Sequence, residues 1–345
     1  MKFLNILMLV IPGSILLTAA SCGTMPDSRR SYTPFNTNAP EIIRKLGRGI
    51  NLGNDLDPYP GPEGSWTKGI KADTWFFDSY TNAGFDSVRI PVTWGYHLNN
   101  GVIDPGFMAR VKQLVDWAIS RNLYVVLDAH HEYWLKSNYI ANIGTFESIW
   151  AQISTNFAGE PANLVFEILN EPSDPMTNAQ VNDMNVRILK IIRQTNPGRF
   201  VMIGADKWNA FNRLIDPSFT VPSGDPYLIA NFHYYSPWDF CGNGIGKWGT
   251  PADYSKLSND LISVSNWAAV HKIPVYLGEY GACETCDKVS RLKWYSALSA
   301  FANADGFAYA AWDNYGQGTD GYRLMSRISG SWERELLDAI FSARP

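Results

Sequence analysis

Two stretches, Leu164–Pro172 (LVFEILNEP) and Ile273–Gly281 (IPVYLGEYG), decide the reading of this chain. Each is an apolar run of strand length that closes on a glutamate, Glu171 in one and Glu279 in the other. Runs apolar on both faces belong to strands buried on both sides, as in a parallel sheet covered by helices. Outward from these two, the same pattern recurs at Gly49–Leu52, Ser87–Val92, Tyr124–Leu127, Phe200–Ile203, Leu228–Phe232 and Phe307–Trp312. The two defining runs supply Leu164–Leu169 and Pro274–Leu277. Amphipathic segments separate them near Ala72–Asn82, Pro105–Arg121, Thr145–Phe157, Asn178–Gln194, Ser255–His271, Val289–Ala302 and Trp332–Ala343, with only a short fifth crossover. Strands alternating with helix-length segments specify an α/β fold with a parallel sheet.

Eight such units predict a single-domain (β/α)8 TIM barrel over residues 40–345, with its site at the C-terminal strand ends. Polar and aromatic residues do follow the apolar runs: Asn54, His130 with His131, Asn170 with Glu171, Trp208, His233 with Tyr235, Glu279, and Trp312 with Asp313. A doubly wound sheet would carry a glycine-rich phosphate loop after its first strand. The run Gly49–Gly53 lacks that spacing.

Composition narrows the function. The chain is 46% hydrophobic and 18% charged, which excludes disorder. Its net charge of −4, without clustered Lys and Arg, argues against nucleic acid as a partner. Lys2 followed by the apolar stretch Phe3–Ala20, broken at Pro12 and Gly13, has the layout of an export signal over residues 1–21. Leu17–Cys22 resembles a bacterial lipoprotein signal with Cys22 as the lipidated terminus, although Ala19 stands where leucine is usual; cleavage near Ala20 without lipid is the alternative. Loss of residues 1–21 removes Lys2 alone among the charges and takes −4 to −5. Residues 22–39, rich in Ser, Thr, Pro and Asn, read as a tether. The expected location is therefore the outer membrane or cell surface, or else the periplasm or medium.

Three cysteines remain, Cys241, Cys283 and Cys286. A lone Cys283-x-x-Cys286 is a weak zinc signal. Cys241 and Cys283 each follow a site motif by a few residues, so a disulfide between those two loops is expected. His130, His131 and Glu132 are adjacent on one strand end and cannot converge on one ion, so no metal and no cofactor is expected.

Two carboxylates on strand ends are what glycosidic hydrolysis requires, one as proton donor and the other as nucleophile or base. The runs RGINLGN (48–54), VRIPVTW (88–94), HHE (130–132), FEILNEP (166–172), HYYSPWDF (233–240), WGTP (248–251) and GEYG (278–281) resemble glycoside hydrolase family 5, over about Gly49 to Phe341. Within that family the resemblance is to bacterial endo-β-1,4-glucanases.

It implies a retaining barrel enzyme in which Glu171 is the acid/base and Glu279 the nucleophile. Arg89 and Tyr235 then hold Glu279, His233 assists Glu171, and Asn170 meets the sugar 2-hydroxyl. His130 contacts sugar hydroxyls, and Trp312 lies beneath the reacting ring. His131, Asn54, Trp208, Trp238 and Trp248 are further cleft candidates, each equally explained by packing, and Asp313 is placed within reach of a sugar hydroxyl. The implied partner is a β-linked polysaccharide or oligosaccharide and the implied state a monomer. Xyloglucan, mixed-linkage glucan and mannan are alternative substrates, and a non-catalytic surface glycan-binding lipoprotein is the alternative of another class.

Overall fold

A computed structural model describes residues 40–316 and 321–342. The export signal, Cys22 and the tether fall outside the described residues. No helix among the described residues is long and apolar enough to cross a membrane.

Eight parallel strands close into a barrel: β1 (Arg48–Asn51), β2 (Ser87–Ile90), β3 (Tyr124–Asp128), β4 (Leu164–Glu167), β5 (Val201–Ile203), β6 (Leu228–Tyr234), β7 (Val275–Tyr280) and β8 (Ala308–Ala311). Each pairs with its sequence neighbours, and β8 pairs with β1 to complete the circle. The expected (β/α)8 barrel is what forms, with every expected strand in place.

Local chemistry sets the crossovers. Asp104 caps the helix Pro105–Ile119, with Pro105 in its first turn. Thr177 with Gln180 and Thr250 with Asp253 form capping boxes on Asn178–Thr195 and Pro251–His271. The third crossover helix starts at Tyr139, six residues before the expected Thr145, because the Asn138 side chain accepts from Ala141 N–H and caps it there. Between β5 and β6 run only two short turns, Asp206–Asn209 and Phe211–Leu214, in keeping with the short fifth crossover.

Along a strand, every second side chain points into the barrel. The lower lumen is apolar: Val126, Val165, Met202, Ile229, Tyr276, Ala308 and Ala310 form one buried cluster. The helix Glu41–Leu46 precedes β1 and adds Ile42, Ile43 and Leu46 to that cluster, which closes the N-terminal end. Two residues further along the same strands the lumen turns polar, with Asp128, Glu167 and Asn231, all buried.

In β7 the alternation is broken on purpose. Pairing with β6 shifts register between Phe232 and His233, so that Phe232 faces Leu277 but His233 faces Glu279. One extra residue turns the following side chain to the opposite face, and Glu279 thereby joins Tyr276 on the lumen side. Gly278 sits in the irregularity with its backbone clasped from within: its N–H donates to Asn231 Oδ1 at 3.0 Å and its C=O accepts from Asn51 Nδ2 at 3.0 Å. A Cβ at this position would stand 2.5 Å from Asn231 Oδ1. Gly278→Ala is therefore expected to cost ~1–3 kcal/mol through overpacking. Urea denaturation of the full chain checks it; an unchanged midpoint would show that the bulge does not need glycine.

Candidate active site

Arg89 organises the polar end of the barrel. It is fully buried on β2, and all three of its nitrogens are engaged. Nε and Nη2 grip Glu167 in bidentate fashion at 2.7 and 2.9 Å. Nη1 donates to Glu279 Oε1 at 2.7 Å and to Asn51 Oδ1 at 3.0 Å. Nη2 also reaches Asn170 Oδ1 at 2.8 Å and Asp128 Oδ2 at 2.7 Å. One guanidinium thus serves three carboxylates drawn from three strands.

Glu279 is held from a second side by the Tyr235 hydroxyl, which donates to Oε2 at 2.9 Å. Glu171 lies beyond the regular part of β4, in a left-handed conformation at φ +42°. Such a backbone costs ~1–3 kcal/mol for a non-glycine residue and concentrates at functional sites. The reversal brings its Oε1 to 3.0 Å from His233 Nδ1, and the same nitrogen is 3.7 Å from Glu279 Oε2. Donor atoms of Glu171, His233 and Glu279 all lie within 4.8 Å of one another.

The two glutamates titrate differently. Burial raises Glu171 to about 7, against the pull of Lys136 and then Arg89. Burial also raises Glu279, but His233 and Arg89 oppose it and Arg89 hydrogen-bonds its carboxylate. Burial lowers His233, against the pull of Glu279, and lowers His130 more strongly, which favours the neutral His130 ring. His130 then donates Nδ1–H to Asp128 at 2.9 Å and accepts Asn170 N–H at Nε2, 3.3 Å away. That bond fixes the Asn170 amide, whose oxygen is already on Arg89.

Trp312 follows β8 and lies parallel to the His130 ring, with centroids 5.8 Å apart and an interplanar angle of 1°. Gly53 approaches it so closely that a Cβ there would meet the indole at 2.8 Å, and Asn54, half-buried, comes next. Trp208 is 54% exposed, and its backbone N–H binds the carbonyl of Pro172, which seats it beside the Glu171 turn. Trp238 is exposed and stands edge-on to Tyr235 at 6.2 Å. Trp248 is buried against Tyr254 and is a packing residue.

Two expectations need correction. Among the described residues Cys241, Cys283 and Cys286 are buried and unbonded. The loops of Cys241 and Cys283 are joined instead by a backbone bond, Cys283 N–H to Cys241 O at 2.9 Å. The Cys283 sulfur faces Thr285 and Cys286, and the Cys286 thiol donates to Phe240 O at 2.9 Å. Asp313 is fully buried, and its Oδ1 accepts from Leu324 N–H at 3.3 Å and Tyr315 N–H at 3.4 Å. It anchors a loop and does not face the cleft.

Several site residues escaped the sequence reading: Glu167, Asp128, Asn51, Asn231 and Lys136. Glu167 and Asp128 carried a usable signal, since each follows an inward apolar residue by two positions. Lys136 carried none. It is 3% exposed on the short helix Tyr133–Ser137, with Nζ 3.4 Å from His130 O and 5.4 Å from the centre of the Tyr133 ring. Glu132 points away from the cleft and takes the backbone N–H groups of Trp94 and Gly95.

Two carboxylates this close at the mouth of a parallel barrel, one raised by burial to about 7 and the other bonded to an arginine, are the arrangement that glycoside hydrolysis requires. The chain belongs to the cellulase family, glycosyl hydrolase family 5, whose profile matches residues 51–318. It is 42% identical to Endoglucanase H of Acetivibrio thermocellus over 321 residues, covering 91% of this chain and 34% of that protein. It is 32% identical to Endoglucanase A of Clostridium longisporum, covering 88% of this chain and 65% of that one. The chain therefore spans between a third and two thirds of the length of these relatives. Among solved structures, Thermotoga maritima Cel5A in complexes with cellobiose and with mannotriose has a TM-score of 0.81 and 30% identity, covering 87% of this chain and 99% of that one.

Lys136 is the largest charge holding the Glu171 proton affinity down. Lys136→Met removes it, so the Glu171 titration should move upward from about 7 by ~1 pH unit. Carbon-13 NMR of glutamate-labelled protein, with Glu171→Gln to assign the signal, follows this directly. A titration that stays in place would show that Lys136 does not act on Glu171.

Proposed function

We propose that this protein is a retaining endo-β-1,4-glucanase acting on soluble or amorphous β-glucan, carried on an exported chain lipidated at Cys22. What supports the mechanism is that one carboxylate oxygen of Glu171 and one of Glu279 lie no more than 4.8 Å apart, a bound on single oxygens that favours the closer of the two carboxyl spacings glycosidases use. Retaining pairs stand about 5–5.5 Å apart, whereas inverting pairs need ~6.5–9.5 Å to admit a water between them. The names of the relatives support the substrate class.

In the first step the Glu279 carboxylate attacks the anomeric carbon while Glu171 gives its proton to the departing glycosidic oxygen. This forms a glycosyl ester and releases the shortened chain. In the second step Glu171, now ionised, takes a proton from water, the water oxygen attacks the same carbon, and the ester breaks to return Glu279. A raised Glu171 suits the donor role, and a Glu279 bound to Arg89 and Tyr235 suits the nucleophile. Asn170, fixed by Arg89 and His130, is placed to bond the 2-hydroxyl, a contact that strengthens in the transition state. Trp312 offers the apolar face beneath the ring, His130 and His131 offer polar edges, and Trp208 extends the cleft on the Glu171 side.

A second reading within the same chemistry, a β-mannanase, is favoured by one observation, the Cel5A relative solved with mannotriose. Xyloglucan and mixed-linkage glucan remain alternatives decided by the same cleft residues. A binding protein without catalysis has no use for two opposed carboxylates.

Reducing-end release from carboxymethyl-cellulose, mixed-linkage glucan, xyloglucan and glucomannan ranks the substrates. Glu279→Ala should lose ~10³-fold or more on all of them. Glu171→Ala should lose ~10²–10⁴-fold on glucan but spare glycosylation by an aryl cellobioside whose leaving group needs no proton. Equal losses on both substrates would remove Glu171 from the acid role.

A further inference from the structure

Asp57 follows the β1 turn and is fully buried, yet neither of its carboxylate oxygens has a hydrogen-bond partner among the described residues. Only its backbone carbonyl is engaged, by the Thr93 hydroxyl at 2.8 Å. Buried side-chain oxygens without a hydrogen-bond partner are uncommon and call for an explanation, and a ligand taken up between Asp57 and its neighbours supplies one. His131 faces it, with Nε2 3.8 Å from Asp57 Oδ2. One ring nitrogen from each of His130 and His131 and one Asp57 oxygen all fall within 4.8 Å of one another.

The two imidazoles are already held as metal-binding histidines are. Such histidines engage their second nitrogen with a carboxylate or another oxygen acceptor, which fixes the ring and frees the first nitrogen for the ion. His130 spends Nδ1 on the Asp128 carboxylate at 2.9 Å, and His131 spends Nδ1 on the Tyr133 hydroxyl at 3.1 Å. His131 then leaves Nε2 open, and His130 Nε2 carries only the 3.3 Å contact from the Asn170 amide. The rings are edge to face with centroids 4.4 Å apart. His131 is 19% exposed at its side chain and is flanked by the rings of Tyr133 and Trp66.

We propose that Asp57, His130 and His131 bind a first-row divalent transition metal of the zinc class, and that metal and glycan exclude each other from this end of the cleft. Two imidazoles and one carboxylate suit zinc, copper, nickel or cobalt, whereas calcium and magnesium prefer all-oxygen sets. Zinc bonds of ~2.0–2.2 Å put neighbouring donors ~3.3 Å apart, so the 3.8 Å gap between His131 and Asp57 needs ~0.5 Å of closure and the other two gaps, within 4.8 Å, up to ~1.5 Å. Ligation of His130 through Nε2 displaces the Asn170 amide from that nitrogen, which unseats a group placed on the sugar 2-hydroxyl. The exclusion, though not the binding, rests on the reading of His130 and Asn170 as glycan contacts.

Calorimetric titration of the full chain with zinc chloride, repeated with cobalt to record the visible d–d spectrum, tests the site without reference to activity. One ion per chain is expected. Affinity should fall at least ~10-fold in Asp57→Asn and His131→Ala, and ~10–100-fold in Tyr133→Phe, which removes an outer support. It should persist in the double variant Cys283→Ser, Cys286→Ser, which separates this site from the thiols. Thermal melts run alongside confirm that each variant is folded. No binding by the wild-type chain, or binding that survives both Asp57→Asn and His131→Ala, overturns the site. With the site established, zinc should raise KM for soluble β-glucan while kcat stays unchanged. Binding without that effect overturns the exclusion, and an enzyme inactive on every glycan without zinc would instead overturn the proposed function.

Discussion

One buried cation holds this site together. Arg89 lies in the lumen with Glu167, Asp128 and Glu279 against its nitrogens, and no single carboxylate could balance its desolvation so well. Removing one partner from a buried ion pair destabilises by ~3–5 kcal/mol, because the remaining charge is left uncompensated. The cluster is therefore rigid by electrostatics, and rigidity is useful here. The arginine fixes Glu279 and Asn170 with the same guanidinium, so the distance between those two groups is set by a planar fork and not by two mobile loops.

Around this centre the fold uses two different backbone devices to aim the glutamates. Glu279 is turned into the lumen by the register shift at Gly278, whose N–H and C=O are taken by Asn231 and Asn51. Asn231 also donates to Glu167 at 2.8 Å, which links the bulge to the arginine cluster. Glu171 is turned by a left-handed residue beyond the strand, outside the arginine's direct reach. The difference has chemical consequences. Burial raises both carboxyls, but Glu279 has His233 and a hydrogen bond from Arg89 against it, while Glu171 has only the charges of Lys136 and Arg89 and rises to about 7.

The barrel was legible because its strands are buried on both faces and its helices are capped by ordinary signals, which fixed every strand within a few residues. The two glutamates were legible because each closes an apolar run. Arg89, His233 and Tyr235 enter through the family resemblance, not through periodicity, and in the structure they contact the two glutamates. Contacts that depend on closure of the barrel were not readable. Nothing in VVLD or LVFE says that Asp128 and Glu167 meet Arg89, since those contacts span three strands. Lys136 and Asp57 were hidden for a different reason. A lysine on a short helix and an aspartate in a loop are normally solvated, and only the structure buries them. The expected Cys241–Cys283 disulfide failed because loop adjacency was inferred correctly but side-chain direction was not.

A double displacement requires Glu171 and Glu279 to stand this close, and the anomeric configuration of the first product reports it most directly. Proton NMR of a cello-oligosaccharide digest, recorded within minutes of adding enzyme and before mutarotation, distinguishes the two outcomes. A double displacement at this spacing releases the β-anomer first. Initial release of the α-anomer would mean a single displacement by water, and would contradict the roles given to both glutamates.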